Sequence, residues 1–315
     1  MVETKQVAVL MGGRSAEREV SLSTGRQILD SLDPARYIAW EMDVDDLPRL
    51  AVADVSERPD VVFIALHGPG GEDGTIQGFL DTLGIRYTGS GVLASALAMD
   101  KVRCKALLST ENVILPADVV LYKRDTSRLR RASREIAESL GFPVVVKPNR
   151  QGSTYGCTIA GDEAGLPAAL ELAFRYDDTV LVEQRIDGTE ITVAVLGNDT
   201  LTALPVVEIV APNGFFDYEA KYRESGAEEI VPARISDALA NEAREVALLC
   251  HRLLGCRGMS RTDMFATDDG VVTLEVNTIP GMTPTSLLPK AADAAGIPFP
   301  RLLDRLIALA LEGVA

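Results

Sequence analysis

The sequence predicts an α/β unit in roughly its first hundred residues and an α+β unit after them. Before residue 98, short β-rich runs alternate with helical patterns, which is typical of a parallel sheet with crossover helices. After residue 99 the pattern changes to strands and hairpins with fewer helices. The chain has 315 residues. Because single cores tend to divide beyond about 250 residues, this length favours two or three domains.

In the first unit, residues 7–11 form an apolar run that predicts a strand leading into Gly12-Gly13. Ser15 is predicted to cap the helix that follows, because serine commonly accepts a hydrogen bond from the first helical turn. Residues 61–66 predict a second buried strand, and a glycine-rich loop and a helix follow it. Gly84 is predicted to end that helix, since glycine adopts the left-handed conformation without steric cost.

In the second unit, residues 94–108 predict one bridging helix. The predicted elements after it are a strand at 115–122, a helix at 127–140, strands at 142–147, 157–160 and 180–184, a helix at 238–254, a hairpin at 259–277 and two final helices.

The composition excludes several classes of protein. The chain has 31 Lys plus Arg and 46 Asp plus Glu, a net charge of −15, so a nucleic-acid partner is not expected. No apolar run approaches the ~20 residues needed to span a bilayer, so no membrane association is expected. The N-terminal residues lack the layout of a signal peptide, which predicts a cytoplasmic protein.

The cysteines and histidines do not form a zinc-binding pattern. No CxxC pair occurs among Cys104, Cys157, Cys250 and Cys256, and the chain has only two histidines, His67 and His251. We expect all four cysteines to be buried, reduced and structural.

The strongest chemical signal is the predicted hairpin at 259–277. On its second strand, Thr273, Glu275 and Asn277 should share one face because strand side chains alternate, and Arg261 and Asp263 should share a face of the first strand. Pairing the strands would gather oxygen donors of the kind that Mg²⁺ takes together with nucleotide phosphates. The alternative is a solvated polar face with a surface salt bridge.

Two further segments could contact a nucleotide. Lys147 ends an apolar strand and precedes a loop with Gly152 and Gly156, which could close over a triphosphate, although the loop could also be a simple hairpin turn. Residues 183–190 could present backbone groups to adenine and a carboxylate to ribose, but an exposed strand end would look the same. No GxxxxGK[ST] segment occurs, which disfavours a P-loop protein.

Eight segments occur in order over almost the whole chain: GGRSAEREVS (12–21), HGPGGEDGTIQG (67–78), YTGSG (87–91), MDKVRCK (99–105), VVKPNRQGS (145–153), DYEAKY (217–222), RTDMF (261–265) and EVNTIPGMTPTSLLPK (275–290). Together they resemble the D-alanine–D-alanine ligases of the ATP-grasp superfamily. The resemblance implies a three-domain fold, with an N-terminal α/β domain (1–98), a central domain (99–186) and a C-terminal domain (187–315) that hold ATP between antiparallel sheets.

The resemblance also implies an activity. Such enzymes use ATP and Mg²⁺, or Mn²⁺ in its place, to join two D-alanine molecules through a D-alanyl phosphate, which supplies peptidoglycan precursors. A homodimer and a monovalent cation such as K⁺ are expected by the same likeness.

The site residues are carried over from the family motifs position by position. The metal ligands are expected to be Asp263, Glu275 and Asn277. The nucleotide residues are expected to be Lys101, Lys147, Glu183, Ile186, Glu190 and Lys221. Substrate binding and catalysis are expected from Glu17, His67, Ser153, Tyr222, Arg261, Ser286, Leu287 and the backbone of Gly281. For His67, a structural loop histidine satisfied by backbone is the alternative.

Some positions depart from the family pattern. Gln151 stands where many relatives have glutamate, and residues 223–230 form an acidic version of the expected covering loop. Two rival functions stay open: a ligase with D-lactate or D-serine as second substrate, and an inactive nucleotide-binding scaffold. Tyr222 disfavours D-lactate because lactate-using relatives generally have histidine there.

Overall fold

The computed structural model describes residues 4–129, 131–152, 154–211, 228–283 and 285–312. Within these ranges the strands form one parallel sheet and two antiparallel sheets, each with helices packed against it. The predicted α/β and α+β class is therefore confirmed. The segment DYEAKY, with Lys221 and Tyr222, and also Ser153 lie outside the described residues.

The first sheet is parallel and has the strand order β2-β1-β3-β4. Its core strand β1 is a continuous apolar run because the sheet is covered on both faces. The loops that follow the carboxyl ends of β1 and β3 belong to the candidate active site described below. The elements are β1 Lys5–Met11, α1 Arg18–Ser31, β2 Tyr37–Asp43, α2 Leu47–Val52, β3 Val61–Ile64, α3 Thr75–Thr82 and β4 Arg86–Tyr87, with 3₁₀ turns at Val44–Asp46 and Val55–Glu57.

The predicted helix cap at Ser15 is wrong. Helix α1 begins at Arg18, and Glu17 occupies the N-cap position. The Ser15 hydroxyl instead accepts a hydrogen bond from the Glu17 N–H (3.1 Å) and donates one to the His67 carbonyl (2.7 Å). Ser15 therefore joins the two loops that follow β1 and β3. Gly84 has φ +66° just after α3, as predicted.

The single helix predicted at 94–108 is also wrong, because the chain breaks it at Asp100. Helix α4 spans Val92–Met99 and helix α5 spans Lys101–Leu108. Asp100 has extended backbone geometry, and its carboxylate accepts the Arg103 N–H (3.1 Å), which is the bonding of an N-cap residue. The break places Lys101 at the start of a new helix.

The second sheet is antiparallel, with the order β5-β8-β6-β7 and a separate core. The helix predicted at 127–140 is two short helices. The elements are the 3₁₀ turn Ser109–Glu111, β5 Asp118–Tyr122, α6 Thr126–Leu129, α7 Ala132–Ser139, β6 Val144–Pro148, β7 Thr158–Ala160, α8 Leu166–Ala173 and β8 Thr179–Gln184.

The third sheet is antiparallel, with the order β12-β11-β9-β13-β14, and β10 pairs with β9. The predicted hairpin is confirmed as β13 and β14, with β13 at the centre of long pairings on both sides. The elements are β9 Thr189–Gly197, β10 Thr202–Ala203, β11 Val207–Val210, β12 Glu228–Ile230, α9 Asp237–Leu254, β13 Gly258–Thr267 and β14 Gly270–Asn277.

Two helices follow β14: α10 Leu287–Ala294 and α11 Phe299–Leu311. Helix α11 packs against β3 and β4 of the first sheet, and apolar residues of α10 and α11 belong to the same core as that sheet. Asp304 accepts a hydrogen bond from the Tyr37 hydroxyl (2.9 Å) and forms an ion pair with Arg36. The domain boundaries after residues 98 and 186 stay a prediction.

Among the described helices, none has both the length and the hydrophobicity required to cross a bilayer.

Candidate active site

Two adjoining cavities lie where the three sheets meet. The outer cleft lies between the second and third sheets and is lined by residues of β6, β8, β13 and β14. The inner cavity is lined by the loops after β1 and β3 and by residues around the start of α10. Both cavities share the side chains or backbone of Lys101, Gln151, Gly152 and Glu275. A group bound in one cavity would therefore contact the same wall as a group bound in the other.

The hairpin strands place four polar residues in register at this wall. Arg261 pairs with Asn277, and Asp263 pairs with Glu275 across β13 and β14. The Arg261 guanidinium donates to both Asp263 oxygens, Nε to Oδ1 at 2.8 Å and Nη2 to Oδ2 at 2.7 Å. Thr192 on β9 donates to Asp263 Oδ1 at 2.6 Å. The alternative of a solvated polar face is wrong, since Arg261 and Asp263 are buried.

The predicted position of Thr273 on this polar face is wrong. The pairing of β13 with β14 shifts register between Asp263 and Met264, so Leu274 is an extra residue on β14. Thr273 is fully buried, whereas Leu274 lines the outer cleft beside Glu275. A bulge interrupts the two-residue alternation on which the prediction depended, and only Glu275 and Asn277 follow it.

The donors at the wall fit a hard divalent cation. The strand pairing brings together the Asp263 and Glu275 carboxylates and the Asn277 amide. No group of three or more His, Cys, Asp or Glu side chains suited to a metal gathers anywhere in the described ranges. The side-chain oxygen Oδ1 of Asn277 accepts a hydrogen bond from the Ile279 N–H at 2.9 Å. Lys101 lies 3.3 Å from Glu275. Such a small oxygen set suits Mg²⁺ when phosphate oxygens and water complete the coordination.

Lys147 and Glu183 form the floor of the outer cleft. Glu183 is only 2% exposed, and its Oε2 contacts the Lys147 ammonium. Burial disfavours the charged form of Glu183, but attraction to Lys147 and Lys105 outweighs it and holds the pKa of Glu183 below its usual range. The Glu183 carboxylate likewise outweighs burial and raises the pKa of Lys147. Both groups are therefore charged at neutral pH.

The loop after β6 contacts the start of α5 through one backbone carbonyl and one side chain. Lys101 Nζ donates to the Gln151 carbonyl at 2.8 Å, and the Val102 N–H donates to Asn149 Oδ1 at 2.9 Å. A Cβ on Gly152 would lie 2.8 Å from Glu17 Oε1, so a larger residue would require the Glu17 carboxylate to move. The loop thus reaches the N-terminal residues of α1 as well as α5.

The far end of the outer cleft is partly apolar. Ile186 and Glu190, predicted to contact the nucleotide, line it together with the apolar side chains Val145, Ile159, Phe265 and Leu274. This combination suits a flat base with a polar sugar. Cys157 lines the same cleft and is half-buried, which differs from the prediction, while Cys104, Cys250 and Cys256 are buried as predicted.

In the inner cavity, His67 is held by side chains rather than by backbone alone. Its Nδ1 lies 3.3 Å from Glu72 Oε1, and its Nε2 lies 3.2 Å from Thr24 Oγ1. The Gly68 N–H also donates to Glu72 Oε1 at 3.1 Å. Glu17 lines the same cavity and is 5% exposed. Glu72 and Thr24 were not predicted, although Glu72 belongs to the HGPGGE segment.

The opposite side of the inner cavity presents backbone and hydroxyl groups. Ser286 is the N-cap residue of α10, and Leu287 is the first helical residue, so its N–H is among the open donors of a helix start. Ser286 Oγ accepts the Thr283 N–H at 3.0 Å. A Cβ on Gly281 would lie 2.7 Å from Ser286 Oγ. These groups can bind a carboxylate without a cationic side chain.

The chain is similar to known proteins over almost its whole length. The family models described as "D-ala D-ala ligase N-terminus" and "D-ala D-ala ligase C-terminus" match residues 43–90 and 108–308. D-alanine–D-alanine ligases from Pelotomaculum thermopropionicum and Syntrophobacter fumaroxidans are 48% and 49% identical to the chain. Each alignment covers 98% of this chain, and 98% and 99% of the respective relative.

The chain is also similar to solved structures of such ligases. The D-alanine–D-alanine ligase from Bacillus anthracis complexed with ATP has a TM-score of 0.82 at 34% identity, covering 98% of this chain and 97% of that one. The VanG D-Ala:D-Ser ligase from Enterococcus faecalis has a TM-score of 0.83 at 34% identity, covering 98% and 100%. The chain belongs to the D-alanine–D-alanine ligase family of the ATP-grasp superfamily.

Proposed function

We propose that this protein joins two D-alanine molecules into D-alanyl-D-alanine for peptidoglycan precursors, with ATP as the energy source. Membership of the family makes the chain an ATP-dependent ligase. The observation that best supports the proposal is the wall common to both cavities, with Lys101 and Glu275 facing each. A ligase of this kind must bring two anions, a phosphate and a carboxylate, into contact. Because Lys101 lines both cavities, its positive charge can offset the repulsion between the two anions.

In this proposal the outer cleft binds ATP. Lys101 and Lys147 contact the phosphates, Glu183 and Ile186 contact adenine, and Glu190 accepts the ribose hydroxyls. Lys221, on the segment between β11 and β12, is assigned to the γ-phosphate by family likeness. The buried Glu183–Lys147 pair supports the phosphate role of Lys147, because it keeps an ammonium group charged in a site with little water.

Asp263, Glu275 and Asn277 would hold Mg²⁺, for which Mn²⁺ can substitute. When bound there, the ion neutralises phosphate charge during transfer. Arg261 orients the Asp263 carboxylate through its two hydrogen bonds.

The chemistry then follows in two steps. A carboxylate oxygen of the first D-alanine attacks the γ-phosphorus, so an O–P bond forms, the bond to ADP breaks, and D-alanyl phosphate results. The neutral amine of the second D-alanine attacks the acyl carbon, phosphate leaves, and the amine proton is lost to solvent or phosphate. Arg261 and the Gly281 N–H stabilise the tetrahedral oxyanion.

Binding of the two amino acids is assigned to the inner cavity. Glu17 binds the ammonium of the first D-alanine, and His67, held by Glu72, lies near it. Ser286 and the Leu287 N–H bind the carboxylate of the second. A hydrogen-bonded set of Glu17, Ser153 and Tyr222 would connect the N-terminal unit to the two covering loops.

The second substrate needs a direct test. The VanG relative is a D-Ala:D-Ser ligase, while the relatives at 48% and 49% identity are D-alanine–D-alanine ligases. The greater similarity to the latter supports D-alanine. A cytoplasmic location, where ATP is available, and a homodimer are part of the proposal.

The experiment is to incubate the purified protein with ATP, Mg²⁺ and D-alanine, alone and with equimolar D-serine or D-lactate, and to identify products by mass spectrometry. D-alanyl-D-alanine and stoichiometric ADP are expected. L-alanine and a non-hydrolysable ATP analogue serve as controls. ADP release without a ligated product, or a mixed product in excess of D-alanyl-D-alanine, would contradict the proposal. Nucleotide binding with neither ADP release nor a ligated product would favour the inactive nucleotide-binding scaffold.

A further inference from the structure

Lys105 is a buried lysine that none of the roles above includes. It lies on α5 and is 7% exposed. Its ammonium contacts Glu183 Oε1 at 2.6 Å, Asp118 Oδ1 at 2.7 Å and the Pro116 carbonyl at 2.8 Å. Because an ammonium has three N–H donors, these three acceptors use its whole bonding capacity.

Glu183 connects Lys105 to the outer cleft. One Glu183 oxygen contacts Lys105 on the side of α5 and β5, and the other contacts Lys147, which lines the cleft. Lys105 therefore does not line the cleft, and the Glu183 side chain lies between Lys105 and the space proposed for the nucleotide. The row of groups is Asp118, Lys105, Glu183 and Lys147, with alternating charge.

The alternation matters because Glu183 is almost completely removed from water. A buried carboxylate needs a positive charge nearby to offset the cost of removing it from water. When one of its two ion pairs is broken, the remaining cation must supply all of that compensation. Without Lys105, Glu183 would depend on Lys147 alone. The attraction would then hold Lys147 against Glu183 and away from an anion in the cleft.

We propose that Lys105 is a positioning residue for ATP binding: it shares Glu183 with Lys147 and so leaves the Lys147 ammonium available to the phosphates. The inference depends on the proposed use of the outer cleft for ATP. It assigns to Lys105 no contact with substrate.

The test is ATP binding, measured by titration calorimetry with Mg²⁺ and without D-alanine, so that chemistry does not enter. Lys105→Gln removes the charge while keeping hydrogen-bond donors, and Lys105→Met is a second uncharged variant in case one of them does not fold. Losing one charged buried interaction should raise the Kd for ATP about tenfold or more. In a separate steady-state assay at saturating ATP, the KM for D-alanine should stay close to that of the wild type. Lys105→Arg, which keeps the charge, should recover most of the affinity.

The matched control is Lys123→Gln. Lys123 also bonds a carboxylate and a carbonyl, Asp178 and Phe174, but its side chain is 56% exposed and lies outside both cavities. A folded uncharged Lys105 variant with wild-type ATP affinity would overturn the inference, as would an equal loss in Lys123→Gln. Wild-type protein that binds ATP but forms no dipeptide would contradict the proposed function instead, and the binding comparison would still decide the role of Lys105.

Discussion

Replacing Arg261 by lysine keeps the positive charge but removes the planar donor fork. The guanidinium makes two bonds to Asp263, at 2.8 and 2.7 Å, and has five N–H donors in all, so it can hold Asp263 and still donate to an oxyanion in the inner cavity. A lysine ammonium presents its three donors from a single atom, so it cannot span both Asp263 oxygens and the oxyanion position as the planar guanidinium does. If it stays with Asp263, the oxyanion loses one donor.

The magnitude follows from that loss. Removing one oxyanion donor typically costs about 10²–10³ in kcat, or roughly 2.7–4 kcal/mol of transition-state stabilisation. One of the two bonds to Asp263 is lost as well, which should lower the free energy of unfolding by only about 1.5 kcal/mol. We therefore expect a large fall in kcat, with the KM for ATP nearly unchanged and only a modest loss of stability.

The assay is steady-state release of ADP and phosphate, together with urea unfolding. Arg234→Lys is the matched control, because Arg234 forms a similar fork with Glu208, Nε to Oε2 at 3.0 Å and Nη2 to Oε1 at 2.6 Å, and lines neither cavity. It should retain its turnover. An Arg261→Lys enzyme with a kcat within about threefold of wild type would refute the oxyanion role, since one lost donor costs far more than that.

Gly281→Ala should displace the Ser286 hydroxyl, because the new Cβ would lie 2.7 Å from Oγ. Ser286 would then lose its hydrogen bond to the carboxylate of the second D-alanine. A hydrogen bond to a charged group contributes about 1.5 kcal/mol, so the KM for that substrate should rise about tenfold. Gly161→Ala, in open space, is the control, and equal KM values would contradict this assignment. Asp263→Asn should abolish turnover and also lower the free energy of unfolding by about 3–5 kcal/mol, since Arg261 is buried against it; wild-type stability in urea would show that the pair contributes little. Burial lowers the pKa of His251 from 6.5 to about 4, so the unfolded chain binds its proton first and stability present above pH 6.5 is lost as the pH falls towards 4. The loss is about 3 kcal/mol relative to His251→Asn, and parallel unfolding curves for the two proteins would contradict it.

The site residues were predicted best where side chains alternate between the two faces of a single strand. The alternation of β14 identified Glu275 and Asn277, and the pairing with β13 placed Arg261 and Asp263 beside them. The same rule failed at Thr273, because a bulge changes which residues share a face, and the register of two strands depends on packing that one strand does not reveal.

Long-range partners were not predictable from local patterns. Lys105 contacts both Asp118 and Glu183 only because α5 folds against β5 and β8, and Thr24 of α1 meets His67 in the loop after β3. The predicted helix boundaries were wrong where a polar side chain replaces a backbone carbonyl as a hydrogen-bond acceptor. Asp100 does this when it caps α5 inside an otherwise continuous helical pattern.

The packing of α11 on the first sheet makes that sheet depend on the last part of the chain. Arg86 on β4 donates to the Leu311 and Glu312 carbonyls, both at 2.9 Å, in addition to the contacts of Asp304 with Arg36 and Tyr37. A fragment ending at residue 98 would expose apolar side chains that α11 covers, and it should aggregate when expressed alone. Co-expression with the remaining residues should restore its solubility, so complementation in trans is the practical way to isotope-label this unit separately.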